Sequence, residues 1–241
     1  SYLKNKKTHA QARAILELPN YVRYNQFGTV TGRLTTKKNS FPILNLNKVL
    51  RGAITPRNDC FLELDFNGAE IRTLLGMMGK SQPSGDVHDF HLREVFRSSV
   101  TRSQAKIMFF SWLYGSSKMS NSSEGKKLES FYNRSKLLDE FYDKSTVTTP
   151  YGKIITGVNR HHALNYLVQS TAAELALKQA LKIDYLLRRD GTGSTIAFLI
   201  HDAVVLDLKK EDKWLLPSIK ALMASTNFGE FLVSAKKGTC L

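Results

Sequence analysis

Thr195-Ile196-Ala197-Phe198-Leu199-Ile200, then His201-Asp202, then Ala203-Val204-Val205-Leu206-Asp207-Leu208: two apolar runs are separated by two polar residues. Runs of this length, rich in branched and aromatic side chains, read as strands, and a two-residue link makes them a tight hairpin with His201 and Asp202 at its tip. A third strand candidate lies far upstream, Phe61-Leu62-Glu63-Leu64-Asp65-Phe66, with Leu62, Leu64 and Phe66 on one face and Asp65 near its end. A helix carrying Ala69, Ile71, Leu74, Leu75 and Met78 should follow it, then a loop at Ser81-Gln82-Pro83-Ser84-Gly85. Asp86 caps a short helix to Phe96. Thr101-Arg102-Ser103-Gln104 matches a capping box and Gly115 a helix C-cap, with a helix between. Asn121-Ser122-Ser123 opens one further helix whose stripe is Leu128, Phe131, Leu138, Phe141 and Tyr142. Pro150-Tyr151-Gly152 reads as a hairpin tip, residues 160–188 as the longest helix, 211–225 as a last helix and 231–235 as a last strand. The first twenty residues form a basic helical piece that begins abruptly, and 25–58 read as irregular, extended chain.

The chain has 241 residues, enough for one large domain or two small ones, and its 42% hydrophobic content fits a packed core. Its 35 Lys and Arg against 21 Asp and Glu give a formal net charge of +14. Such a field points to a polyanionic partner: nucleic acid, anionic lipid or a phosphorylated ligand. No apolar run approaches the roughly 18 residues of a spanning helix. The start, Ser1-Tyr2-Leu3-Lys4-Asn5-Lys6-Lys7, lacks the apolar core of a signal peptide. Only two cysteines, Cys60 and Cys240, argue against a disulfide framework or structural zinc and fit a reducing compartment. The expected location is the cytoplasm (the host's, for a viral protein), with an organelle as the alternative.

Asp65 and Asp202 are out of character with their apolar surroundings. A carboxylate at a strand end near a core is costly unless it is paired or binds a cation. Two of them brought together by a sheet would suit Mg²⁺, a hard cation that takes one or two carboxylates plus substrate phosphates. Taken alone, each reads more readily as an ordinary turn-capping Asp. Arg102, Lys106, Phe110 and Tyr114 follow at four-residue steps and so share one slowly drifting helix face. Two cations followed by two rings could bind a triphosphate and stack a sugar and base, or form a solvated end above a buried stripe. Asn165 and Gln169 lie one turn apart, with His161 extending the row; their amides suit the acceptors of the DNA minor groove or simply an exposed face. His88 and His91 have no third partner for zinc.

Taken in order, these pieces resemble the polymerase region of family A DNA polymerases, the family of bacterial DNA polymerase I and of related phage and organellar enzymes. Asp65-Phe66-Asn67-Gly68-Ala69-Glu70-Ile71-Arg72 resembles the first catalytic motif and Ile200-His201-Asp202 the third. Arg102-x3-Lys106-x3-Phe110-x3-Tyr114-Gly115 resembles the nucleotide-binding helix of the fingers, and Asp86-Val87-His88 the start of the fingers. Thr31-Gly32-Arg33-Leu34 looks like the thumb-to-palm motif, and Asn165-x3-Gln169-Ser170-Thr171-Ala172-Ala173-Glu174 like the minor-groove-reading helix. The resemblance implies an α+β fold: an antiparallel palm sheet backed by helices, with a small helical fingers subdomain. The expected limits are 1–24 for the end of the thumb, 25–79 and 159–241 for the palm, and 80–158 for the fingers.

The implied activity is template-directed DNA synthesis, joining dNTPs to a primer 3′-OH by a two-metal mechanism. The implied ligands of two Mg²⁺ ions are Asp65, Asp202 and the Phe66 backbone carbonyl, both carboxylates being catalytic. Bound dNTP would meet His88, Arg102, Lys106, Phe110, Tyr114 and Glu70, the last excluding ribonucleotides at the sugar 2′ position. Primer-template DNA would meet Arg33, Asn165, Gln169, His201, Arg160 and His161. The sequence departs from the family at Ala203, where a Glu is usual; at His161, where an Arg is usual; and at Phe109 and Ser111, where Asn and Gly are usual. With the thumb nearly absent and no room for an exonuclease, a further chain or a missing segment would supply both. The rival readings are a single-subunit phage-type RNA polymerase, which needs a small residue at position 70, and a degenerate palm kept as a DNA-binding or assembly module.

Overall fold

The computed structural model describes residues 2–241, with side chains from residue 6 onward. The chain divides into two compact units. The first comprises the chain up to Asp65 together with Ala176–Met223 and Val233–Leu241; the second comprises Phe66–Leu175 and Ala224–Leu232. The cuts fall inside the strand Cys60–Phe66 and inside the long helix Arg160–Arg189.

The first unit is built on a four-stranded sheet in the order Val233–Gly238, Cys60–Phe66, Ala203–Leu208, Thr195–Ile200. The strand Ala203–Leu208 pairs antiparallel with both neighbours and is buried at all six positions. That explains its unbroken apolar run, since a strand covered on both faces has no polar side to alternate with. Its one acid, Asp207, is tolerated because its two carboxylate oxygens accept the backbone N–H groups of Arg57 and Asn58, each at 2.9 Å. The pairing of Thr195–Ile200 shifts register between Ile196 and Phe198, and the Tyr24 hydroxyl accepts the Leu199 N–H nearby. Phe61, Ile200 and Val205 close a core with Ile43, Leu44 and Leu46 from the irregular upstream segment.

The second unit is mainly helical. It contains Ala69–Met77, Val87–Phe90, Arg102–Leu113, Ser123–Tyr132 and Arg134–Phe141, with the first half of the long helix and a three-stranded sheet of Tyr142–Asp143, Thr146–Thr148 and Ile154–Ile155. Its core joins Phe96, Phe109, Trp112, Leu113 and Tyr132 to Leu164 and Val168 of the long helix. The capping box is present: Thr101 accepts the Gln104 N–H and the Gln104 side chain accepts the Thr101 N–H.

The single helix expected after Asn121 is two helices. Asn133 is left-handed (φ 45°), ends Ser123–Tyr132, and starts Arg134–Phe141 by accepting the Lys136 N–H. Asn tolerates this conformation better than most residues, and its side chain caps what its backbone interrupts. Tyr142 then opens a short strand instead of ending the helical stripe. The last helix is a 3₁₀ turn, Lys210–Leu215, followed by Leu216–Ala224, and the last strand runs Val233–Gly238. Among the described residues no helix is long and apolar enough to cross a membrane.

Candidate functional site

In the first unit Asp65 and the hairpin tip at Asp202 lie at the same end of two paired strands. The register pairs Leu64 with Val204. That pair is the last of the ladder, one residue before Asp65 on one strand and one residue after Ala203 on the other, with Asp202 directly preceding Ala203. His201 turns the chain with a positive φ of 57°, a conformation in which His is enriched among non-glycine residues. Ala203 is itself buried. Burial pushes the Asp202 carboxyl up from its usual range, while its own backbone N–H and the charges of His201 and Arg33 pull it down. Arg33 therefore belongs to the electrostatic surroundings of Asp202. The Ser234 hydroxyl donates to the Asp65 carbonyl at 3.2 Å, tying the edge strand to this position.

A carboxyl that burial raises is one to which a cation is welcome. Among the described residues no group of three or more His, Cys, Asp or Glu is placed to hold a metal. Asp65 and Asp202 carry hard oxygen donors, the kind that suits an ion which completes its shell with substrate phosphates and water. The Phe66 carbonyl accepts the Gly68 N–H at 2.9 Å and retains a second lone pair.

In the second unit, Gly68 (φ 72°) caps the helix Ala69–Met77 in the left-handed conformation, and Glu70 is buried in its first turn. Arg72 is fully buried, and its guanidinium donates to the carbonyls of Asn67, Pro83 and Gly85. Burial lowers its pKa to about 10, against the opposing charge of Asp86. Asp86 caps Val87–Phe90 by accepting from the His88 and Asp89 N–H groups, accepts from the Asn67 amide, and pairs with Arg102 at 2.6 Å. Burial favours its neutral form, but the hydrogen bonds from Arg102 and Asn67 outweigh that and hold the carboxyl far below its usual range.

The row of four divides as the helical spacing predicts. Lys106 is exposed, Phe110 is half-buried with its ring 5.7 Å from Tyr114, and Tyr114 is 41% exposed. Phe109, Trp112 and Leu113 point into the core. His88 is buried, its ring 6.4 Å from Phe110, with no hydrogen-bond partner at Nδ1. Burial lowers its pKa, and the nearby Lys106 and Arg102 push the same way against Asp86 and Asp89. His88, Arg102, Lys106 and Phe110 thus form one neighbourhood.

On the long helix, Asn165 and Gln169 are half-buried, and the Asn165 Oδ1 has no partner. His161 is exposed and lies against Gly115, whose φ of 81° and close approach leave no space for a Cβ. Arg160 pairs with Asp139 at 3.3 Å and lies over the Tyr142 ring.

In the sequence Asp86 reads as a helix cap at the start of the fingers and Arg72 as part of a motif. No role is legible there for His91, which is buried against the Tyr132 hydroxyl. Their roles depend on partners elsewhere in the sequence, and the burial of Arg72 and His91 is invisible in one dimension.

No family model matches the chain. It is 24% identical over 229 aligned positions to DNA polymerase I of Aquifex aeolicus (strain VF5), covering 79% of this chain and 39% of that protein. It is 21% identical to DNA polymerase I of Caldicellulosiruptor bescii over 83% of this chain and 29% of that protein. Among solved structures it matches the POL domain of Pol1 from M. smegmatis, in complex with DNA primer-template and dNTP. The TM-score is 0.76 at 16% identity, over 98% of this chain and 51% of that one. The chain has the fold of a DNA polymerase I polymerase domain. The family resemblance and the α+β architecture drawn from the motifs agree with it. The chain spans well under half the length of both curated relatives.

Proposed function

We propose that this chain performs template-directed DNA synthesis, joining a deoxynucleotide to a primer 3′-OH with release of pyrophosphate. The observation that carries the reading is the register Leu64↔Val204, which ends one residue short of Asp65 on a strand next to the hairpin that carries Asp202. The likeness to polymerase I proteins and to a polymerase domain solved with primer-template and dNTP supports it. Asp65, Asp202 and the Phe66 carbonyl would hold two Mg²⁺ ions, which when bound lower the 3′-OH pKa and neutralise charge on the departing pyrophosphate.

The chain's other residues bind and orient. Arg102 and Lys106 neutralise the triphosphate. His88, kept neutral by burial, offers an N–H in place of a full charge. Phe110 and Tyr114 shape the sugar and base pocket, and Glu70 crowds the sugar 2′ position. Arg33, Asn165, Gln169, His201, Arg160 and His161 contact primer-template. In this reading residues 25–79 and 159–241 act as palm, 80–158 as fingers and 1–24 as the end of a thumb. The rest of the thumb and any exonuclease would come from a further segment or chain.

Magnesium-dependent primer extension tests the proposal. Asp65→Ala and Asp202→Ala should each abolish extension with far-ultraviolet circular dichroism unchanged, because removing one of two repelling carboxylates leaves no cavity. Substantial extension by either variant sinks the assignment. Preference for ribonucleotides would favour the RNA polymerase reading, and DNA binding without extension the degenerate palm.

A further inference from the structure

We infer that Asp86 is a positioning residue for triphosphate binding, holding the Arg102 guanidinium by one edge while capping the helix that carries His88. The inference rests on the proposed function in taking Arg102 and His88 as phosphate-binding groups.

The geometry is specific. Arg102 Nε donates to Asp86 Oδ1 at 3.1 Å and Arg102 Nη2 donates to Asp86 Oδ2 at 2.6 Å. Nε also lies 3.3 Å from Asp89 Oδ1. An arginine has five N–H donors. This side-on pairing uses Nε and one proton of Nη2, leaving both protons of Nη1 and one of Nη2 for an anion. The Arg102 side chain is 48% exposed, so those donors have access to a ligand.

Asp86 is itself fixed from several directions. Its Oδ1 accepts the N–H groups of His88 and Asp89, at 2.9 and 3.0 Å, and its Oδ2 accepts from Asn67 Nδ2 at 2.9 Å. Asn67 is fixed in turn: its Oδ1 accepts the Val87 N–H at 2.8 Å and its carbonyl accepts from the buried Arg72 Nε at 2.8 Å. A continuous hydrogen-bonded path thus runs from a fully buried guanidinium through Asn67 and Asp86 to an exposed one. A long, flexible cation held beforehand loses less conformational freedom when it meets its ligand. The same carboxylate sets the first turn that presents His88, so two phosphate-binding groups share one anchor.

The test separates holding from capping. Asn caps a helix as well as Asp does, but it carries no charge and offers one oxygen in place of two. Asp86→Asn in the full chain should weaken dATP binding in Mg²⁺, measured by calorimetry, about tenfold. It should remain folded, with a melting temperature lowered by the lost carboxylate bonds to Arg102 and Asn67, and its affinity for primer-template should stay at the wild-type value. Arg102→Ala should weaken dATP binding as well, and adding Asp86→Asn to it should change nothing further. By nuclear magnetic resonance, the Arg102 Nε–H should exchange slowly in the wild type and rapidly in Asp86→Asn. Unchanged dATP affinity in Asp86→Asn reduces Asp86 to a cap and overturns the inference. Tighter binding would mean that Asp86 sequesters Arg102, and full additivity in the double variant would mean that it acts elsewhere; both overturn it. Arg102→Ala binding dATP as tightly as wild type is the distinguishable failure of the triphosphate reading itself, and the inference falls with it.

Discussion

Lowering the pH from 7 to 5 should destabilise the second unit by about 2 kcal/mol through one buried histidine. His91 is fully buried, its Nε2 against the Tyr132 hydroxyl and its ring 4.8 Å from that of Phe109. Burial, with a smaller contribution from the charge of His88, lowers its pKa from 6.5 to about 3. The unfolded chain therefore takes up a proton near pH 6.5 that the folded chain refuses until about pH 3. Stability is full above 6.5 and falls as pH drops between these values. At pH 5 the unfolded state is 1.5 units below its pKa while folded His91 is still neutral, and at about 1.36 kcal/mol per unit the loss is about 2 kcal/mol.

His88, lowered in the same direction, adds to the slope. Asp86, whose carboxyl is held low in the folded state, contributes stability that is present above about pH 4 and is lost only below it. The window from 7 to 5 therefore isolates the histidines. Urea unfolding followed by Trp112 fluorescence reads the correct unit, because Trp112 is buried and stacked 5.6 Å from Tyr132. The only other tryptophan, Trp214, is removed as Trp214→Phe. His91→Gln keeps an acceptor for Tyr132 but cannot titrate, so its stability should lose about 2 kcal/mol less than wild type between pH 7 and 5. Parallel losses in both proteins would refute the reasoning.

Three further outcomes are expected. Glu70→Ala should raise ribonucleotide incorporation relative to deoxynucleotide incorporation, measured side by side in primer extension; unchanged sugar selectivity would reduce Glu70 to a first-turn helix acid. DNA binding should weaken steeply and almost independently of sequence as salt rises, because a net charge of +14 implies several phosphate contacts with counterion release; a flat response in fluorescence anisotropy would point to a protein partner instead. Gly115→Ala should cost more than about 1 kcal/mol in chemical denaturation, because a side chain at φ 81° is strained and its Cβ meets the His161 backbone.

What the sequence determined by itself was local. The strand ending in Asp65, the hairpin tipped by His201-Asp202, the capping box at Thr101 and the ring row on the following helix all follow from spacing and from hydrogen bonds closed within a few residues. Where apolar spacing ran on through a conformational break, as at Asn133, periodicity misled, because a left-handed residue turns the chain without disturbing the count of apolar positions. Tertiary structure alone decided the antiparallel register, ending at Leu64 and Val204, that puts the strand carrying Asp65 next to the hairpin carrying Asp202, since pairing across 140 positions is a property of packing and not of either strand. It also decided how far water reaches three polar groups. Nothing in one dimension shows that Arg72 and His91 are fully buried or that Asp86 is tied to Arg102 and Asn67. They acquire their chemistry only when distant carbonyls, amides and rings exclude water around them and replace its hydrogen bonds.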